Sequence, residues 1–147
     1  MTLWGGRFSE GPAELLWGYT VDHTDRRLLE VDIEGSIAHV AMLKDVGLLT
    51  APEHSQIEEG LRQLKADARD GSFVFEDGDE DVHSAVERRL VELVGEVGEK
   101  LHTGRSRNDQ IALDLRLYIQ KSARHRAAEL AGFASLMSDL AEQHVDT

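Results

Sequence analysis

The sequence predicts an all-α fold, and three observations carry that prediction. Apolar residues recur at steps of three and four through most of the 147 residues, the period of a helix face. No stretch of any length alternates apolar and polar residues as a half-buried strand would. The 2 prolines both stand near expected helix starts.

In chain order, Trp4 to Phe8 and Trp17 to Tyr19 combine glycine with aromatic residues and predict an irregular arm with one helical turn. From about Asp25 a helix is expected, with Leu29, Ile33, Ile37, Val40, Leu43 and Val46 inward. Gly47 followed by Leu48 predicts a Schellman ending. Thr50-Ala51-Pro52-Glu53 reads as a capping box opening a second helix, with Ile57, Leu61, Leu64 and Ala68 as its stripe and an end near Gly71. Ser72 to Phe75 is a short apolar spur, and 76–81 an acidic loop. A third helix places Val82, Val86, Leu90, Leu93 and Val97 inward, weakened at its end by Gly95 and Gly98. There is no internal repeat and no low-complexity tract.

The last segment opens at Ser106-x-x-Asp109, another capping-box variant, and then runs to the end with one glycine and no proline. A helix of roughly 35 residues is about 50 Å long. A domain of this size has a radius of gyration of about 15 Å, so such a helix is expected to project beyond it. Ile111, Leu115, Ile119, Ala123, Ala127 and Leu130 form one stripe, while Leu113, Leu117, Phe133, Leu136 and Leu140 lie on other faces. Several apolar faces call for several neighbours. The predicted organisation is therefore a helical domain over 1–105 and a long helix over 106–147 that ends as a fragment ends.

Net charge is −12, from 28 acidic and 16 basic residues. Nucleic-acid and anionic-membrane surfaces need a basic footprint and are not expected. With no cysteine, disulfides, thiolate metal sites and cysteine nucleophiles are excluded. The amino terminus has no apolar signal region, and no apolar run is long enough to span a bilayer. A soluble cytoplasmic protein is expected.

Positive charge concentrates in one place, from Lys100 to Arg107. There Thr103-Gly104-Arg105-Ser106-Arg107-Asn108-Asp109-Gln110 surrounds a turn that opens the long helix. The first amides of a helix point outward unpaired, and the macrodipole adds positive charge. Arg105 and Arg107 add two guanidinium forks suited to carboxylate or phosphate. The same letters also suit a glycine turn with an N-cap and solvated arginines, and spacing alone does not choose.

Asp77, Asp79 and Asp81 alternate like the start of a calcium loop, but Val82 stands where the tight-turn glycine belongs and Arg88 where the bidentate glutamate belongs. A solvated, helix-capping loop is the expectation. His83 and Glu87 share a helix face at i,i+4 without a third ligand nearby, so no metal is expected, and His83 can instead pair with Asp81. His23, His39, His54, His125 and His144 read as surface or packing residues. Trp4, Trp17, Phe73 and Phe75 read as core plugs.

Three blocks then carry a resemblance: Leu3-Trp4-Gly5-Gly6-Arg7-Phe8, Glu80-Asp81-Val82-His83-Ser84 followed by Glu87 and Arg88, and Lys100 through Gln110. In this order they resemble the amino-terminal part of the argininosuccinate lyase/delta crystallin family, within the fumarase/aspartase superfamily. The similarity runs over essentially the whole chain, and the third block is its most specific part.

The resemblance implies an all-α fold, with the long helix as the first of a central helical bundle. It implies a place in arginine biosynthesis and a reversible β-elimination of argininosuccinate to fumarate and arginine, without metal or organic cofactor. A base removes a Cβ proton, the extra charge rests on a substrate carboxylate, and an acid helps the guanidinium leave. Carried over residue by residue, Arg107 and Asn108 match substrate-carboxylate ligands, and Asp81 and His83 a supporting pair at the site edge. Thr103, Gly104 and Ser106 shape the turn beside Arg105. A substrate-contacting serine of the family falls at Thr20 or Val21, where the spacing to Asp25 is one residue longer than the family's.

The family's T-H-x-Q segment, with its proton-transfer histidine, is expected just after residue 147. The loop G-S-S-x-M-P-x-K-x-N, whose serine resembles the base, is not in the chain. The family joins these regions from different subunits of a homotetramer, so the 147 residues alone are expected to be inactive. The alternatives are a non-catalytic, delta-crystallin-like structural or helical interaction module, and an anion-binding module without chemistry.

Overall fold

The computed structural model describes residues 13–146, and among them every regular element is a helix. The chain divides after Asp114 into two compact units. The predicted arm at Trp4 to Phe8 lies outside the described residues.

In the first unit, α1 spans Glu14–Thr20, a fuller helix than the single turn expected at Trp17 to Tyr19. A 3₁₀ segment, His23–Leu28, carries the chain into α2, Leu29–Asp45. Leu29, Ile33, Val40 and Leu43 are buried as their spacing predicts. Val46 is not; it falls beyond the helix end, and Leu49 fills the core in its place. The Schellman ending is present. Leu48 N–H donates to Leu43 C=O at 2.8 Å and Gly47 N–H to Lys44 C=O at 2.9 Å, with Gly47 at φ 78°.

α3, Ala51–Asp70, opens on the complete Thr50/Glu53 capping box. The Lys100 ammonium also binds Glu53, and with Thr50 holds that carboxyl down at about 2. Ile57, Leu61 and Leu64 are fully buried. A Cβ at Gly60 would lie 2.7 Å from Leu90 and Val94, so glycine permits the close approach of α3 to α4, Val82–Val94. Helices α2, α3 and α4 pack pairwise around one core, where Val82, Ala85, Val86 and Leu90 meet the α2 and α3 stripes. Leu93, expected inward, is exposed because α4 stops one residue later and Gly95, at φ 74°, turns the chain into a 3₁₀ segment, Gly95–His102. Among the aromatics, Phe73 is buried, while Phe75 is half-buried and lies under the Arg26 guanidinium.

The last helix, α5, spans Arg107–Gln143. Its first two turns belong to the first unit, and the polar Gln110 and Asp114 are their buried residues, while Ile111 and Leu115 are exposed. In the second unit Ile119, Leu130, Phe133, Leu136, Met137 and Leu140 are all exposed.

Candidate functional site: a buried carboxylate–imidazole cluster behind the Thr103–Gln110 turn

Four elements bring polar side chains to one place in the first unit. α2 contributes Asp32 and Ser36, one turn apart within its buried face. α4 contributes His83 and Glu87, also one turn apart, with Asp81 as its N-cap. The turn after Leu101 contributes Arg105, and α5 adds Arg107, Gln110 and Asp114 at helical spacing. Local chemistry fixes each start. Asp81 accepts from Ser84 N–H at 2.6 Å, and Asp25 accepts from Val82 N–H at 2.7 Å, so α4 begins on two carboxylates that satisfy its first amides.

The centre is sealed. His83 Nδ1 donates to Asp32 Oδ1 at 2.9 Å and lies 3.5 Å from Asp114 Oδ2, and all three side chains are at most 3% exposed. The Gln110 amide donates to the same Asp32 oxygen. Burial disfavours the charged form of Asp32, but donation from His83 and Gln110, with the His83 and Arg105 charges, prevails and lowers its pKa. Burial likewise disfavours the His83 imidazolium, and Asp32 with Asp81 outweighs it, so the pKa rises. Asp114 moves the other way. Burial first, and then the Asp32 charge, push it up to about 7 against the opposing pull of His83 and Arg105.

Those directions explain an apparent defect. Asp32 Oδ2 and both Asp114 oxygens are buried without a hydrogen-bond partner among the described residues. Two ionised carboxylates are acceptors only and cannot satisfy each other. A proton on Asp114 makes it a donor to Asp32, so the pair acts as one acid holding one proton. The three ligating atoms lie within 4.8 Å of one another, close enough for a cation. The donor set argues for the proton instead. Asp32 Oδ1 already accepts from two donors, and the Arg105 guanidinium adds positive charge against the same carboxylates.

Arg105 and Arg107, equivalent in the sequence, separate here. Arg105 points inward; its Nη1 donates to Ser36 Oγ at 3.1 Å, and burial lowers its pKa although Asp32 and Glu87 favour the cation. Arg107 faces the edge. Its Nη1 donates to Gln110 Oε1 at 3.0 Å and meets Glu87 Oε1 at 3.1 Å, while its Nε lies 3.9 Å from Asp81 Oδ2. Glu87 also holds His102 at 3.1 Å, and His39 Nε2 meets the Thr103 carbonyl at 3.0 Å.

Of the residues singled out by sequence, His83, Asp81, Arg105 and Arg107 converge, with Thr103, Ser106 and Asn108 exposed along the turn. The partner of His83 is Asp32 rather than Asp81, because the imidazole turns into the core while Asp81 caps α4. Glu87 binds His102 and Arg107, so the i,i+4 pair His83/Glu87 forms no metal edge. No hydrogen bond among the described residues joins Thr20 to this group; its hydroxyl donates to Leu16 C=O at 3.0 Å within α1. In the acidic loop Asp79 is buried against Arg88 at 2.8 Å, a structural ion pair rather than a cation ligand.

Comparison with known proteins gives these contacts a context. A protein-family profile described as "Lyase" matches residues 6–147. The chain belongs to this lyase family. It is 47% identical over 148 aligned residues to an argininosuccinate lyase of Desulfitobacterium hafniense, covering 100% of the chain and 32% of the relative. It is 49% identical over 146 residues to one of Chloroflexus aurantiacus (99% and 32%) and 46% identical over 148 to one of Moorella thermoacetica (100% and 32%). The chain thus spans about a third of the length of the curated relatives it matches. As the sequence predicts, the chain is all-α among its described residues. None of the described helices is long and apolar enough to cross a membrane.

Sequence reasoning missed Asp32 and Asp114, and it named Gln110 only as the end of the turn, without a role. A signal existed: Asp32 stands beside Ile33 inside an otherwise apolar stripe, and Gln110 and Asp114 are four apart at the start of the long helix. A carboxylate within a buried face requires partners from elsewhere.

Proposed function

We propose that this chain supplies one wall of the active site of an argininosuccinate lyase, which splits argininosuccinate reversibly to fumarate and arginine in arginine biosynthesis. The observation that carries this is the Thr103–Gln110 turn, where Arg107 is held at the edge of a sealed cluster at the start of α5. The kinship with argininosuccinate lyases over the whole chain supports it.

In that reading Arg107 and Asn108 bind a substrate carboxylate, aided by the positive end of the α5 dipole. Elimination places extra negative charge on such a carboxylate, and a fixed guanidinium stabilises the charge as it develops. Arg105 serves differently, neutralising Asp32 and Asp114 from within. His83 and Asp81 support the wall, with His83 acting through Asp32 and Asp81 through the start of α4. The acid and base that move the protons belong to regions outside these 147 residues, so the isolated chain is inactive. The full enzyme is cytoplasmic and homotetrameric in this reading. The exposed Leu130, Phe133, Leu136 and Leu140 of α5 support association, since such a face favours burial by neighbouring helices.

A chimera tests the proposal. The 147 residues replace the aligned third of the Desulfitobacterium hafniense enzyme, and fumarate release from argininosuccinate is followed by absorbance. Turnover that falls by about 10²-fold or more on Arg107→Ala is expected. A folded chimera whose turnover ignores that substitution overturns the assignment.

A further inference from the structure

We propose that Gln110, held between Arg107 and Asp32, is a positioning residue that fixes the aim of the Arg107 guanidinium at the carboxylate-binding turn. The proposal rests on the carboxylate-binding role given above to Arg107. Gln110 is 3% exposed, a polar side chain buried with a partner at each end. Its orientation is forced. Arg107 can only donate and an ionised Asp32 can only accept, so the Gln110 oxygen faces the guanidinium and its NH₂ faces the carboxylate. The reversed amide would meet donor with donor and acceptor with acceptor.

The arrangement therefore has a direction, from the core to the edge. His83 Nδ1 shares the Asp32 oxygen that receives Gln110, and Asp114 lies 3.5 Å from the same imidazole nitrogen. With His83 Nδ1 and the Gln110 amide both on one Asp32 oxygen, Asp32 stands as their common acceptor. Asp32 then pins Gln110, and Gln110, one helical turn after Arg107, takes its Nη1. Glu87 holds the same nitrogen from α4, while Arg107 Nε, buried, has no hydrogen-bond partner among the described residues. Without the Gln110 oxygen, the guanidinium is left to Glu87 and Asp81 and swings toward α4. The charged and titratable groups around Gln110 are Asp32 from α2, His83 and Glu87 from α4, Asp81 at its start, Arg105 before α5, and Arg107 and Asp114 within it.

The chain of 147 residues and two variants test this, with fumarate as the probe. Titration calorimetry gives affinity across pH, and NMR of the Arg107 guanidinium reports whether it is locked. Gln110→Met keeps length and removes both hydrogen bonds. It is expected to weaken fumarate about ten-fold at every pH and to collapse the separate Arg107 Nη–H resonances into one. Gln110→Glu carries a signature that packing cannot imitate. Protonated, its carbonyl accepts from Arg107 and its hydroxyl donates to Asp32, as the amide does; ionised, its second oxygen opposes Asp32. Affinity near wild type in acid and about ten-fold weaker in alkali is expected, beyond any change the wild type shows over the same range.

Binding by Gln110→Met within about two-fold of wild type, with Arg107 still locked, overturns the proposal. Should that variant not fold, a Gln110→Glu profile parallel to wild type overturns it equally. Should the wild type not bind fumarate, the carboxylate-binding reading falls, and the Arg107 resonances of the variants still decide whether Gln110 positions it.

Discussion

His83 Nδ1 lies 2.9 Å from Asp32 Oδ1 across two helices, with both side chains sealed from solvent. Two oppositely charged groups out of water lose their hydration, and their mutual attraction repays it only while both are present. His83→Ala removes one and leaves Asp32 beside the Asp114 carboxyl with only Gln110 and Arg105 in support. Urea unfolding at neutral pH should show a loss of about 3–5 kcal/mol. A loss below about 1 kcal/mol would mean that the pair is solvated and not a buried unit.

The cluster sets a pH window for stability. Asp114 has a folded pKa of about 7 against 3.8 in the unfolded chain. The native state holds a proton that the unfolded chain releases between those values, so stability falls as pH rises through them. His83, raised above 6.5, acts in the same sense: its contribution is complete below that value and is lost as pH rises through the folded pKa. Asp32, lowered, contributes above 3.8 and loses its contribution as pH falls through its folded pKa. Thermal midpoints should therefore be highest in mildly acidic buffer. Asp114→Asn keeps a donor toward Asp32 without the titration, and should gain on the order of 2 kcal/mol over wild type in mild alkali but little in mild acid. Equal effects at both pH values would contradict the assignment of the proton.

The two arginines of the turn should respond oppositely. Arg105→Met removes the inner cation beside Asp32 and Asp114, and costs roughly 2–4 kcal/mol of stability. Arg107→Met, at the edge, costs roughly 1 kcal/mol of stability while weakening fumarate about ten-fold or more. Denaturation and calorimetry on both variants check the split. A stability loss at Arg107 exceeding that at Arg105 would reverse the roles.

The capping box of α3 offers a control away from the turn. Thr50→Ala removes the acceptor of Glu53 N–H and is expected to cost about 1 kcal/mol with fumarate binding unchanged. Chemical denaturation and calorimetry on this variant check both halves of the expectation.

Helix existence and most helix ends were legible in the sequence because they depend on local chemistry. Thr50 with Glu53 and Gly47 with Leu48 act over a few residues, and both motifs form as written. The turn around Arg107 was legible for the same reason. What was not legible depends on which helix faces which. Asp32 meets His83 across 51 positions and Gln110 across 78, and no local pattern encodes such a meeting. The same limit applies to α5, whose several apolar faces did not say which side meets the core; the polar Gln110 and Asp114 are the buried residues of its first turns, and Gln110 meets Asp32 of α2.

Fumarate titrated into the ¹⁵N-labelled chain, observed by NMR, tests most directly whether the Thr103–Gln110 turn binds a substrate carboxylate. Saturable shifts are expected at Arg107, Asn108 and the amides beside them, lost in Arg107→Ala while the rest of the spectrum stays folded. Absence of any shift within 103–110, or shifts unchanged by Arg107→Ala, would contradict it.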